Sequence, residues 1–157
     1  MTDASAFIPH RGAMLLISAV RDVSVNSRNG GNGANDGAGP SAETVHDVTL
    51  DEPCYAQWGL TEGPWPRTLM TEFLGQTAAL LCACANAGRT DQSPLFARAE
   101  NAVFLGDAFP GDRVIGRATI ERTIGPASYV RASARGGDGA LGPVFLSTLP
   151  PPHNPSA

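Results

Sequence analysis

The chain predicts an α+β domain in which an antiparallel sheet curls round a single buried helix, and three observations carry that expectation. One long segment, Thr68 to Ala87, is apolar almost all round at helical spacing, as befits a helix enclosed on every side. On both sides of it lie stretches rich in Val, Ile, Leu and Thr, bounded by Gly, Pro and Asn, which read as strands. With 157 residues there is one domain's worth of chain, so helix and strands must share one core.

Each element follows in order. Met14 to Val25 reads as a first strand. The stretch from Asn29 to Pro40 contains nothing apolar larger than Ala, cannot offset the entropy of ordering, and reads as a long flexible hairpin loop. Thr44 to Leu50 alternates and is expected to pair back on the first strand. Pro66 stands just before the helix, where its missing N–H costs nothing, and Gly88-Arg89 gives the stop. Phe96 to Leu105 is a further strand, ended by Pro110-Gly111-Asp112. Asp112 to Thr123, Ala127 to Arg135 and Ala140 to Leu149 follow at hairpin spacing, with turns at Gly125-Pro126 and at Gly136 to Gly139. Residues 1–149 thus form a single domain, and 150–157 a disordered Pro-rich tail.

Composition excludes several classes of function. Net charge is −4, and the eleven basic residues are all scattered Arg, with no Lys, so nucleic acid has no basic surface to bind. No uninterrupted apolar run is long enough to span a bilayer: the best candidate, Leu69 to Ala87, is broken by Thr71, Glu72, Gln76 and Thr77. The first six residues lack the basic and apolar regions of a signal peptide. Cys82 and Cys84 lie two apart on a helix and face different ways, and the three Cys have no zinc spacing. A reducing cytoplasm, no metal and no cofactor are expected.

Glu72 is the most informative residue, the only charge between Thr68 and Ala87. An unpaired buried carboxylate costs several kcal/mol, so the residue has one of two explanations. Either it reaches a helix end or a subunit seam and is solvated there, or it is a general acid or base tuned by apolar surroundings. Gln76, one turn on, shares its face. His10, in Ile8-Pro-His-Arg-Gly12, reads as a turn residue ahead of the first strand. His46 sits mid-strand, and its acidic neighbour Asp47 points to the opposite face. Arg11, Arg98 and Arg113 read as solvated surface side chains, with a grip on an acidic partner as the alternative. No nucleophilic triad and no phosphate-cradling loop can be read.

Phe7-Ile-Pro-His-Arg-Gly-Ala-Met-Leu-Leu-Ile17, Val48-Thr-Leu-Asp-Glu-Pro53, Leu69-Met-Thr-Glu-Phe-Leu-Gly-Gln-Thr-Ala-Ala-Leu-Leu81 and Phe104 through Pro110-Gly-Asp112 resemble, in order and spacing, successive motifs of the bacterial 3-hydroxyacyl-acyl-carrier-protein dehydratases. The resemblance implies a hotdog fold, assembly with another hotdog subunit as homo- or heterodimer, and a thioester substrate carried on acyl carrier protein. It also implies a site shared between subunits: a His from one, an acid on the central helix of the other, and a backbone N–H at the helix start that polarises the thioester carbonyl.

Residue by residue, the family's acid falls on Glu72 and its Gln on Gln76. The family's His, fourteen residues before the acid, falls on Trp58, and no His lies between Asp47 and Pro152. The Pro-Gly that opens the family's helix is here Pro66-Arg67, whose side chain is expected to obstruct the acyl end; Trp58 and Trp65 are expected to add volume near the tunnel. The expectation is a subunit weak or inactive alone, supplying Glu72 to a site completed by a His-bearing partner. An acyl thioesterase or isomerase resting on the helix Glu, and a non-catalytic partner of a dehydratase, are the alternatives.

Overall fold

The computed structural model describes residues 3–25, 39–57, 59–86, 95–125, 127–137 and 139–149. Six strands, β1 (Ala19–Ser24), β2 (Ser41–Asp47), β3 (Leu95–Glu100), β4 (Arg113–Ile124), β5 (Ala127–Gly136) and β6 (Gly139–Leu149), form one sheet in the order β1-β2-β4-β5-β6-β3. Every neighbouring pair is antiparallel. A four-residue helix, α1 (Pro53–Ala56), and the long α2 (Arg67–Ala85) lie between β2 and β3. The order of strands round one central helix is the one expected. The Asn29–Pro40 loop falls almost wholly on 26–38, and with the 150–157 tail, Trp58 and Gly88-Arg89 it lies outside the described residues.

The sheet receives α2 because its inner face is lined with small side chains. Along β4 and β5 the buried positions alternate as Val114, Gly116 and Ala118, then Ser128, Val130, Ala132 and Ala134. Small residues let the helix axis approach the strands. Phe73, Leu74, Ala78, Leu80 and Leu81 of α2 fill the trough, all buried. The opposite face is solvated and carries cross-strand ion pairs in register, Asp47 with Arg113 and Glu43 with Arg117. Although α2 is long and apolar enough to cross a membrane by length and composition, most of it is enclosed by the sheet.

Gly116 makes the closest accommodation. A Cβ there would stand 2.7 Å from the Phe73 ring and 3.2 Å from Thr77 Oγ1. Gly116→Ala is therefore expected to destabilise the fold by about 1–3 kcal/mol through overpacking, read as a lower denaturant midpoint at unchanged slope.

The chain departs from the expected strands at two places. Gly12–Met14 is a 3-10 turn and β1 begins only at Ala19. β3 ends at Glu100, and residues 101–109 then run as an irregular strap beside β6, with Val103 N–H on Pro143 O (3.0 Å) and Leu105 N–H on Leu141 O (2.9 Å).

Candidate functional site

Glu72 projects from the second turn of α2, its side chain one-third exposed. One oxygen is doubly held: Oε1 accepts a hydrogen bond from Gln76 Nε2 (3.0 Å) and lies 3.1 Å from His10 Nε2. Among the described residues, Oε2 has no partner. The carboxyl is thus oriented through one oxygen, with the other left without a protein partner among the described residues.

Gln76 is 1% exposed and its amide has a fixed sense. Its Oε1 accepts from Leu16 N–H (2.9 Å), while Nε2 donates to Met14 O (2.8 Å) as well as to Glu72. The helical i, i+4 spacing made the Glu72–Gln76 stripe legible. The anchoring of Gln76 on residues 14–16 was not, because backbone groups leave no trace in a side-chain pattern.

His10, read from the sequence as a turn residue, stands with its ring against Glu72. Arg11 fixes the turn by donating to the carbonyl oxygens of Ile8 and His10. The other ring nitrogen, Nδ1, is buried without a partner among the described residues. A proton there would be an unsatisfied buried donor, so Nε2 is the ring nitrogen placed to donate to Glu72. The signal that could have found this residue was the Pro-His-Arg motif itself, since the two side chains lie sixty-two positions apart.

Arg67, expected to obstruct the acyl end, is laid along the strap: its guanidinium sits 5.3 Å over the Phe104 ring and its Nε is 3.0 Å from Asp107 Oδ1. Its backbone N–H and that of Thr68 have no acceptor among the described residues, because Pro66 provides no capping side chain. Trp65, expected to add volume near a tunnel, is 0% exposed and locked in the core; its N–H donates to Ala108 O and its indole to Glu52 Oε2 at 2.8 Å. His46 does have an acidic partner, Glu52, six residues on and 3.1 Å away.

Three further groups are accounted for. Arg98 pairs with Glu100 and Arg113 with Asp47, so these cations, like Arg11, are engaged within the chain. Cys82 is buried in the core and Cys84 only half-buried, on different flanks of α2. Burial pushes the thiols of Cys54 and Cys84 up, so neither is primed as a nucleophile. Among the described residues no His, Cys, Asp and Glu gather as a metal site.

The site is therefore a helix carboxyl held by one oxygen, two unspent amides one turn earlier, and an imidazole in contact. No protein-family model matches the chain. Curated relatives do: the 3-hydroxyacyl-acyl-carrier-protein dehydratase FabZ of Rickettsia felis is 30% identical over 123 residues, 78% of this chain and 75% of that protein. The FabZ of Allorhizobium ampelinum is 29% identical over 134 residues, 85% and 77% of the two chains. Among solved structures, the dehydratase heterocomplex ApeI:P from Xenorhabdus doucetiae matches with a TM-score of 0.73 at 14% identity, covering 96% of this chain and 92% of that one. A thioesterase superfamily member from Thermus thermophilus matches with a TM-score of 0.58 at 20% identity, covering 69% and 79%. The fold is the hotdog fold, and the chain belongs to the FabZ family of 3-hydroxyacyl-acyl-carrier-protein dehydratases.

Proposed function

We propose that the chain is a dehydratase-like subunit for 3-hydroxyacyl thioesters borne on acyl carrier protein, in fatty-acid or polyketide-type biosynthesis, and that it supplies Glu72 to a composite site whose imidazole comes from a His-bearing hotdog partner. The observation that carries this reading is Glu72 itself, oriented through Oε1 with Oε2 unengaged, in a chain where Trp58 occupies the family's His position. Exposed Leu60, Leu105 and Phe109, on the segments flanking the start of α2, offer a partner apolar surface. The name of the Xenorhabdus complex, a dehydratase built from two different chains, supports pairing.

In this reading the partner's imidazole takes the C2 proton, made removable because the amides of Arg67 and Thr68 polarise the thioester carbonyl. The C2–C3 double bond forms as the C3–O bond breaks. Glu72 gives the Oε2 proton to the departing hydroxyl, which leaves as water.

One observation favours a second reading: His10 already lies against Glu72, so an imidazole and a carboxyl meet within one chain. Assay of 3-hydroxyacyl-carrier-protein dehydration by the chain alone, and mixed with a His-bearing hotdog subunit, separates the two. The composite site predicts a rate at least about a hundredfold higher for the mixture. Equal rates, abolished by His10→Asn, would transfer the proposal to the single-chain pair. Release of free thiol by the chain alone would instead mark a thioesterase.

A further inference from the structure

Behind Glu72 lies a second polar group, closed off from solvent. The side chains of His46 on β2 and Glu52 ahead of α1 are 6% and 12% exposed. His46 Nδ1 is 2.6 Å from Leu16 O, and Nε2 is 3.1 Å from Glu52 Oε1. That same oxygen accepts from Thr49 N–H (3.0 Å), and Oε2 accepts from the Trp65 indole. The indole stacks on the imidazole with centroids 4.4 Å apart, and Phe73, the residue after Glu72, closes the cluster 5.8 Å from the imidazole.

The proton count follows from the partners. A carbonyl oxygen only accepts, so Nδ1 carries a proton. Nε2 faces a carboxylate oxygen, and a bare Nε2 would set two lone pairs against each other out of reach of water, so one more proton is shared between ring and carboxyl. Burial pushes the Glu52 carboxyl up, yet its hydrogen bonds from His46, Thr49 and Trp65 outweigh burial and hold it below the usual carboxylate range. The shared proton therefore belongs on the ring.

The same bonds run on to the reactive carboxyl. Leu16 takes the Nδ1 proton on its carbonyl and gives its own N–H to Gln76, which holds Glu72. At the other end, Trp65 directly precedes Pro66 and the unspent amides of α2. We infer that His46 is a positioning residue: doubly protonated, it clamps Leu16 against Gln76 on one side and Glu52 with Trp65, at the approach to α2, on the other. The set of Glu72 and the start of α2 then depend on one buried proton.

This deepens the dehydratase reading, on which its effect on turnover rests; the proton itself does not depend on that reading. The charged and titratable neighbours are few. Glu52 faces the ring; Asp47, next on β2, turns to the other face and pairs with Arg113 of β4; Cys54 and Tyr55 of α1 lie near Glu52. From α2 comes Phe73 and from the 14–18 segment a backbone carbonyl. The clamp is complete while the ring is charged and Glu52 ionised. Falling pH weakens it as Glu52 takes a proton at its lowered position.

The test is the nitrogen NMR of His46 in the full chain near neutral pH, with His46→Gln and Trp58→Phe used for assignment. Two ring protons on His46 are expected, and Glu52→Gln is expected to remove the second and to shift the Trp65 indole resonance with it. A single ring proton in the parent chain, or an indole that Glu52→Gln leaves unmoved, overturns the inference. In the mixed complex Glu52→Gln is expected to cut kcat roughly tenfold to a hundredfold with KM kept. A complex inactive from the outset would overturn the dehydratase reading, while the ring and indole resonances still decide the clamp.

Discussion

Glu72→Gln is expected to lower enoyl-thioester formation by the mixed complex by about two to four orders of magnitude, the usual worth of a general acid. The substitution preserves shape and removes only the capacity to hold and give a proton. The replacement amide can still accept from Gln76 Nε2 through its oxygen, so the 14–16 segment and α2 are expected to stay in place. Because the side chain is one-third exposed, its contacts to His10 and Gln76 contribute little to stability, and the melting temperature is expected to move by a few degrees at most. Initial rates on a 3-hydroxyacyl carrier-protein substrate, alongside a thermal melt, check both halves. Full activity of the Glu72→Gln complex would remove the carboxyl from the chemistry and leave the chain as a structural partner.

Gly142→Ala is expected to produce the largest loss of stability, about 3–5 kcal/mol, checked by the denaturant midpoint. Gly142 has φ +142°, in the region that disfavours side chains, and a Cβ there would stand 1.8 Å from Val103 O. Backbone cannot swing aside as a flexible side chain can. The strap must lift, and with it the Val103–Pro143 and Leu105–Leu141 hydrogen bonds. The strap also carries Ala108, which takes the Trp65 N–H, and Phe104 and Asp107, which hold Arg67. The loss is therefore expected to reach the start of α2; if Gly142→Ala matches the parent's midpoint, the tight crossing of strap and β6 is absent.

What the sequence made legible is what periodicity records. The buried helix, the strands β4, β5 and β6, and the Glu72–Gln76 stripe all come from repeats of side-chain character. The misses are places where a side chain captures backbone. Residues 14–16 have strand composition, yet Met14 O and Leu16 N–H go to Gln76 and Leu16 O goes to His46, so these groups are unavailable to a ladder. α1 is four residues long, too short for any period. Phe96 to Leu105 is apolar enough to continue as a strand, but Asn101 at φ +53° turns the chain out. His46 was matched only with its neighbour Asp47, whereas its partner Glu52 lies in a loop that no alternation can orient. His10 and Glu72 meet through tertiary folding alone. The family's motifs point to Glu72 as the acid and to Trp58 in the place of the His, but carry no information on what His46 and Trp65 do in this chain.

Pro66 opens α2 without a capping oxygen. A chain shaped for stability alone would spend a serine or aspartate there, worth about 1 kcal/mol. Leaving the first amides unsatisfied is a local frustration in an otherwise consistent fold, one that an acyl carbonyl would relieve in the proposed function. On that proposal the helix is expected to be firmer when loaded than when empty, so that substrate stiffens the element that carries Glu72.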